Sequence, residues 1–536
     1  MINEISLENF KAFNQLKGLN IKPVTILCGA NSCGKSSVLQ SILLMKQSLE
    51  SRNLNQPLLL NGRFVQLGTF PNIIFEKDPD REISFEFLSK IRTEYMTEYI
   101  FKGQRQIPWR DIFREMLTER DYSDKDTEYD VRFKVSLKAE KEEENTNNLI
   151  KPFTIKRLGF KFEAKNSWKK IFQYLLAFSL KESESISSLL SIQNEKIFPS
   201  ISLEMTHDAE DSYMIKWKKL RLKTENEDEE EVIENDCGEL SASIDFANVF
   251  PIAIKTDEKR RQPLETVISL GIAEVMKKIF DSYSYIGPLR EKSSRKYIFE
   301  DEILEIGLKG ENSAYIYLTE QYTDIDEHYF YDKSSDAFIP KHGLKLGPAV
   351  QQWLNAMNIK AFDPESLGEM ISLRLNSSLS SKIRVNVADV GFGVSQIFPI
   401  ILEGLRMPRG YTLLLEQPEI HLHPNLQMQM ADYFISLALS GKNIIAETHS
   451  DHVVNRLVRR IVEDESGQLQ DLIGIYFLKS SENGAVFEEI HIDESQGITN
   501  WPEDFFDQTA TEQEKIMRAG LKKRKKLREQ KKGLRQ

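Results

Sequence analysis

At 536 residues, with 29% charged and 40% hydrophobic side chains, the chain has an ordinary water-compatible balance and can bury a large core in two or more lobes. No apolar run is long enough to span a bilayer, no signal peptide precedes the first strand pattern, and the three cysteines (Cys28, Cys33, Cys237) form neither a disulfide framework nor a zinc pattern, so a reducing cytoplasm is the expected location and no membrane is expected as a partner. The net charge of −11 is unevenly spread: Glu227–Glu231 is an acidic run expected to be a solvated loop, whereas from Arg518 to Arg535 ten Lys or Arg residues stand against one acid, Glu529. That tail reads either as a solubilising, partly helical end or as a contact to a nucleic-acid backbone or a partner.

In chain order, Glu4 to Phe10 alternates apolar and polar side chains as a half-buried strand does, and Val24–Leu27 is a short apolar run that reads as a second strand. A helix is expected from Lys35 to Leu49. Between strand and helix stands Gly29-Ala30-Asn31-Ser32-Cys33-Gly34-Lys35-Ser36, followed by Ser37. Its glycines let backbone N–H groups turn inward around phosphate oxygens, and the helix N-terminus adds partial positive charge. Lys35 can reach the β- and γ-phosphates, and the Ser36 hydroxyl suits a Mg²⁺ ion. Nucleotide binding follows as the expectation. The Phe10–Phe13 segment leaves two readings open for Phe13, a strand-end aromatic against an adenine ring or plain core.

Residues from about 80 to 280 change character. Ile83–Leu88, Val131–Leu137, Leu158–Glu163 and Tyr213–Leu222 alternate as strands, with charged loops such as Lys141–Asn148 between them and helical inserts at Trp168–Phe178 and Leu264–Phe280. An antiparallel β layer is expected here, with no long heptad stretch for a coiled-coil arm. From Ser284 strands and helices alternate again: helices at Gly347–Met357, Val394–Leu405, Asn425–Ser436 and His452–Val462, strands at Tyr411–Leu415, Asn443–Ala446, Leu472–Leu478 and Ala485–Ile492. Continuous apolar strands between helices favour a parallel sheet covered on both faces.

Four segments in this second part carry chemistry. Thr412–Glu419 is an apolar strand ending in Glu416, Gln417 and Glu419, which suits a Walker B strand whose carboxylate holds Mg²⁺ near the phosphate loop. Ile420-His421-Leu422-His423-Pro424 follows at once, in the place of a D-loop. Ile444–Ser450 is a buried strand that ends in Glu447-Thr448-His449, with His449 placed to sense a γ-phosphate. Asp389-Val390-Gly391-Phe392-Gly393-Val394-Ser395-Gln396 is a glycine-rich turn opening a helix, and Gly391, Gly393, Ser395 and Gln396 can hold a phosphate there.

The order and spacing of these pieces resemble the ABC-type ATPase head, over the first 70 and last 250 residues or so. More narrowly, Glu416–Pro424 is similar to the E-E/Q-P-E-x-H-L-H-P pattern of stand-alone ATPases allied to the overcoming-lysogenization-defect proteins, relatives of the RecF and SMC heads. Ile286-Gly287-Pro288-Leu289-Arg290 and Trp501–Asp507 look like that group too. The resemblance implies an α/β ABC-type head with a mainly parallel sheet, an antiparallel β layer and an inserted mixed α/β region. The expected divisions are 1–75 and 283–505 for the head, 76–282 for the insertion and 506–536 for the basic tail.

The resemblance also implies ATP and Mg²⁺ as cofactors, and a homodimer or higher oligomer in which the signature turn of one head caps the ATP of the other. Catalytic roles would fall to Glu416, Gln417, Glu419 and His449. The phosphates would lie against Gly29, Ala30, Asn31, Ser32, Cys33, Gly34, Lys35, Ser36 and Ser37, and the metal against Ser36, Glu416 and Gln66, the last as a Q-loop candidate. One departure matters: Gln417 stands where Walker B usually carries a glutamate base. An amide can position water but cannot take its proton, so slow hydrolysis is expected unless Glu419 or Glu447 supplies the carboxylate. The roughly 35 mostly basic residues after Trp501 are not expected to form a nuclease domain, and the chain is similar to Septu-type defence ATPases that work with a separate nuclease, HNH-type favoured. A RecF-like DNA-processing ATPase is the alternative, and a GTPase is disfavoured because no Asn-Lys-x-Asp motif occurs.

Overall fold

The computed structural model describes residues 1–51, 57–92, 128–139, 153–164, 200–209, 212–218, 240–247, 250–255, 276–298, 305–367, 370–377, 380–391, 393–493, 495, 497–500, 502 and 508–533. The acidic run at 227–231, the Lys141–Asn148 loop, the insert at Trp168–Phe178 and most of Trp501–Asp507 lie outside them.

Two sheets organise the molecule. The first has the order β11 (Tyr283–Ile286), β18 (Thr412–Glu416), β19 (Asn443–Glu447), β3 (Val24–Gly29), β20 (Ile473–Ser481) and β21 (Gly484–Glu489). The first five are mutually parallel, and β21 closes the edge as an antiparallel hairpin partner of β20. Strands built from unbroken apolar runs bury both faces, as the sequence predicts. Val24, Ile26, Leu413, Leu415, Ile444 and Ala446 point into one core with the helices Leu346–Ala356, Gly393–Arg406, Pro424–Leu439 and Asp451–Glu463. Leu27, Leu414, Ile445, Tyr476 and Leu478 point into a second core with the phosphate-loop helix, Lys35–Glu50. Each buried leucine contributes about 1.5–3 kcal/mol, so the strand ends that carry polar groups are held firmly.

The second sheet is antiparallel and covers the other side of the phosphate-loop helix. Its order is β10 (Phe250–Lys255), β9 (Leu240–Ala247), β8 (Ser212–Lys218), β7 (Ser200–Ala209), β6 (Phe153–Ala164), β5 (Glu128–Ala139), β4 (Ile83–Arg92), β1 (Ile2–Phe10) and β2 (Phe13–Asn20). The layer expected over 76–282 therefore extends a sheet that β1 and β2 begin. Phe85, Phe87 and Phe133 from it meet Val38, Leu39 and Ile42 of the helix in the second core.

Smaller sheets flank the parallel one. β12 (Tyr297–Ile298), β15 (Asp363–Leu367), β16 (Met370–Ser377) and β17 (Ser380–Asn386) form one; β13 (His328–Asp332) with β14 (Ala337–Lys341), and β22 (Ile492–Asp493) with β23 (Gly497–Ile498), form hairpin pairs. The basic end is helical over Gln508–Gly533, as expected of its Lys, Arg, Gln and Glu content. Among the described residues no helix is long and apolar enough to cross a membrane.

Candidate nucleotide-binding site

The phosphate loop leaves β3 at Gly29 and enters its helix through Gly34. Both glycines have left-handed φ, 136° and 94°. A Cβ on Gly29 would stand 2.0 Å from the Leu478 carbonyl oxygen, and one on Gly34 would stand 2.9 Å from Phe13 Cζ. Only glycine fits either place. Phe13 is thus fully buried beneath the loop, which decides between its two readings in favour of core. Lys35 is 3% exposed. Its ammonium donates to the carbonyls of Gly29 at 3.0 Å and Ala30 at 2.6 Å, curled into the loop that it can leave for a phosphate. Cys33 donates its thiol to the same Ala30 carbonyl at 2.9 Å.

Sheet order decides which acid meets this loop. β19, not β18, lies beside β3, and the Ser36 hydroxyl donates to Glu447 Oε2 at 2.6 Å. Glu416 lies one strand further out, in register with Glu447. Burial raises the Glu416 pKa, and the neighbouring Glu447 charge adds to that rise, while a hydrogen bond from Tyr285 opposes it. That bond runs from the Tyr285 hydroxyl to Glu416 Oε1 at 2.9 Å. Sequence reasoning had Glu447 only as a substitute carboxylate and gave Tyr285 no role.

Gln417 turns the chain off β18 with φ 46°. Its N–H donates to the Glu447 carbonyl at 2.8 Å. Arg290, 6% exposed, donates from Nη2 to the Glu416 carbonyl at 2.9 Å and from Nη1 to the Gln417 carbonyl at 3.0 Å. Burial lowers this guanidinium to about 10, with Glu419, Tyr285 and Glu416 opposing, so it stays charged at neutral pH. The corner that carries the amide is therefore clamped from both sides. Glu419 Oε1 accepts from the His449 N–H at 2.6 Å, and burial raises its carboxyl pKa. The His449 imidazole is half-buried, and burial followed by the Lys35 charge lowers its pKa. It is neutral at neutral pH and in the field of Lys35.

The other expected residues are placed less directly. Gly391 is exposed with nothing within 4 Å of where a Cβ would stand, Ser395 and Gln396 are buried, and Phe392 lies outside the described residues. A Cβ on Gly393 would meet Leu422 at 3.6 Å and the His421 carbonyl at 3.7 Å, so the glycine turn abuts the D-loop segment. His423 caps the helix Pro424–Leu439, accepting from the Asn425 N–H. Gln66 is exposed and bridges Asn61, and among the described residues no hydrogen bond ties its side chain to the phosphate loop. Gln47 instead pins that segment, accepting from the N–H groups of Phe64 and Val65.

Sequence comparison decides the family. The AAA ATPase domain matches residues 1–454. The chain belongs to that family. Residues 470–516 of this AAA ATPase also match a protein family of unknown function, DUF3696. No curated protein matches the sequence. Among solved structures it is similar to the SMC head domain from Thermotoga maritima, at 8% identity and a TM-score of 0.31 over 92% of this chain and 99% of that one. It is also similar to an SMC head bound to the C-winged helix domain of ScpA, at 9% identity and a TM-score of 0.33 over the same shares.

The residues of this AAA ATPase fit Mg-ATP. The loop is packed so closely on Leu478 and Phe13 that only glycine fits at Gly29 and Gly34, and it holds the Lys35 ammonium within it. Ser36 Oγ and the carboxylates of Glu447 and Glu416 are hard oxygen donors of the kind Mg²⁺ takes. Among the described residues no group of three or more His, Cys, Asp or Glu could hold a metal, so phosphate oxygens and water would complete its shell. When bound, the ion would neutralise phosphate charge, and Ser36 would exchange its bond to Glu447 for it. Tyr285→Phe tests the acid end of this arrangement. Removing a donor that lowers the Glu416 pKa lets that carboxyl stay protonated to higher pH. The acid limb of Mg-ATP binding, followed from about pH 5 to about pH 8, should move to higher pH. An unmoved limb would remove Glu416 from the metal site.

Proposed function

We propose that this AAA ATPase is an ABC-type regulatory head that binds ATP tightly and turns it over slowly in the cytoplasm. Mg-ATP closes two copies head to head, the glycine turn at Gly391–Gln396 of one capping the nucleotide on Lys35 of the other. The closed or open state then restrains or releases a separately encoded effector nuclease, HNH-type favoured, in bacterial anti-phage defence. The observation that carries the switch reading is Gln417, an amide at a corner clamped by Arg290 and Glu447 where a base would stand. A switch needs occupancy more than turnover. Support for the defence setting is the likeness of the Glu416–Pro424 pattern to stand-alone ATPases allied to the overcoming-lysogenization-defect proteins. Lys35 and His449 would sense the γ-phosphate, and Glu419 or Glu447 would supply the carboxylate for the slow turnover that remains.

The second reading is a RecF-like ATPase whose turnover drives DNA processing, favoured by the basic helix Gln508–Gly533, whose side chains 512–524 are exposed. One experiment separates them: ATP-dependent dimerisation and hydrolysis, with and without duplex DNA, in the full chain and in a chain lacking 518–536. The switch reading expects an ATP-dependent dimer, slow hydrolysis and no DNA stimulation. Strong stimulation that disappears on truncation would replace it with the second.

A further inference from the structure

Residues 285–295 touch both halves of the composite site within one chain. At the near end, Tyr285 donates to the Glu416 carboxylate and Arg290 holds the carbonyls of Glu416 and Gln417. Between them the backbone is laced to a neighbouring loop: the Gly287 N–H donates to the Leu308 carbonyl at 2.8 Å, and the Glu291 N–H to the Lys309 carbonyl at 2.9 Å. That loop continues into Gly310, whose φ is 70° and whose Cβ, if present, would stand 2.5 Å from Pro399 Cβ inside the glycine-turn helix Gly393–Arg406. At the far end, Arg295 grips Asp389 with two hydrogen bonds, Nη2 to Oδ1 at 2.5 Å and Nη1 to Oδ2 at 3.1 Å. Asp389 ends the short turn that leads into Gly391. The Arg295 carbonyl also accepts from Asn386 Nδ2 at 3.1 Å, and Asn386 Oδ1 accepts from the Ala388 N–H at 2.9 Å.

We propose that residues 285–295 are a positioning strap joining the Glu416–Gln417 corner to the glycine turn of the same chain, with Arg290 and Arg295 as its positioning residues. The inference rests on the head-to-head reading, because the turn that Arg295 holds would then cap the partner's nucleotide. Each head's own corner would thereby set the cap on the other site, and the two ATP sites would fill cooperatively. The planar bidentate pair fixes an orientation as well as a distance, which a lysine in place of Arg295 cannot do. Two arginine anchors on one strap, joined by backbone hydrogen bonds and a glycine pressed on the turn's helix, give a contiguous physical link between the sites.

The test uses the full chain. Sedimentation with and without Mg-ATP reports dimerisation, and equilibrium binding of Mg-ATP reports affinity and the Hill coefficient. In the wild type the coefficient should exceed 1 and approach the two-site limit of about 2. Arg295→Gln, at an exposed pair, should bring it to about 1 while first-site affinity stays within about twofold. The exchange pair Arg295→Asp with Asp389→Arg should restore cooperativity. The proposal is overturned if Arg295→Gln stays cooperative, if it loses first-site affinity in step with cooperativity, or if the exchange pair fails to restore it. A wild type that does not dimerise with Mg-ATP overturns the head-to-head reading and this inference together. A wild type that dimerises without cooperativity overturns the strap alone.

Discussion

Gln417→Glu should raise ATP turnover at saturating Mg-ATP by roughly 10²-fold, at the low end of what a general base supplies. The substitution changes one terminal group and leaves the backbone where Arg290 and the Glu447 carbonyl hold it. It places a carboxylate on a corner already pointed off β18, with φ 46° fixed by contacts that do not involve the side chain. The gain is held to the lower end for an electrostatic reason. Glu416 and Glu419 both have raised pKa values already, and a further negative charge beside them raises all of them until Mg²⁺ is present. Single-turnover hydrolysis measures the chemical step, and the lifetime of the ATP-bound dimer should fall in parallel. If turnover stays at the wild-type level while ATP still binds, the amide does not limit the reaction and Glu419 already serves as base. Glu419→Gln would then abolish the residual rate.

The sequence made the cores legible and left the neighbourhoods hidden. Val24–Leu27, Tyr411–Leu415 and Asn443–Ala446 read as buried strands because an unbroken apolar run has no other good place in water. The helices between them follow from their own periodicity, and each lies within a few residues of its expected span. Nothing in an apolar run encodes which parallel strand is its neighbour. The Walker B pattern therefore pointed to Glu416 alone, and β19 sets Glu447 beside it, with Ser36 on Glu447 at 2.6 Å. Tyr285 lies in a four-residue edge strand with too little pattern to mark its hydroxyl. Arg290 was visible only as part of a motif, because its contacts are backbone carbonyls that no side-chain pairing announces. β2 was missed because its polar residues and Gly18 interrupt the alternation, and the pairing of β1 with β2 shifts register between Ile5 and Leu7. β14 was missed because it is mostly exposed.

Gly29→Ala and Gly391→Ala should fail in opposite ways, although each puts one methyl on a glycine of a turn, the phosphate loop in one case and the proposed cap in the other. At Gly29 the methyl would lie 2.0 Å from the Leu478 carbonyl oxygen, and the residue would keep a φ of 136° that alanine resists. Leu478 is also the register partner of Gly29 across β3 and β20, so relief requires the strands to part at the mouth of the loop. Overpacking and backbone strain of this kind cost on the order of 3 kcal/mol or more together. The loop N–H groups lose their aim as well, so thermal stability should fall and ATP affinity should drop by roughly 100-fold or more. At Gly391 nothing lies within 4 Å of the added methyl, and φ is unremarkable for any residue. Monomer stability and first-site ATP binding should therefore stay within about 0.5 kcal/mol of wild type. The proposed cap needs the Gly391 backbone to approach a partner's phosphate closely, so the ATP-dependent dimer should be lost in sedimentation. Dimerisation of Gly391→Ala at the wild-type affinity would remove this turn from the composite site, whereas the Gly29 result depends only on the geometry within one chain.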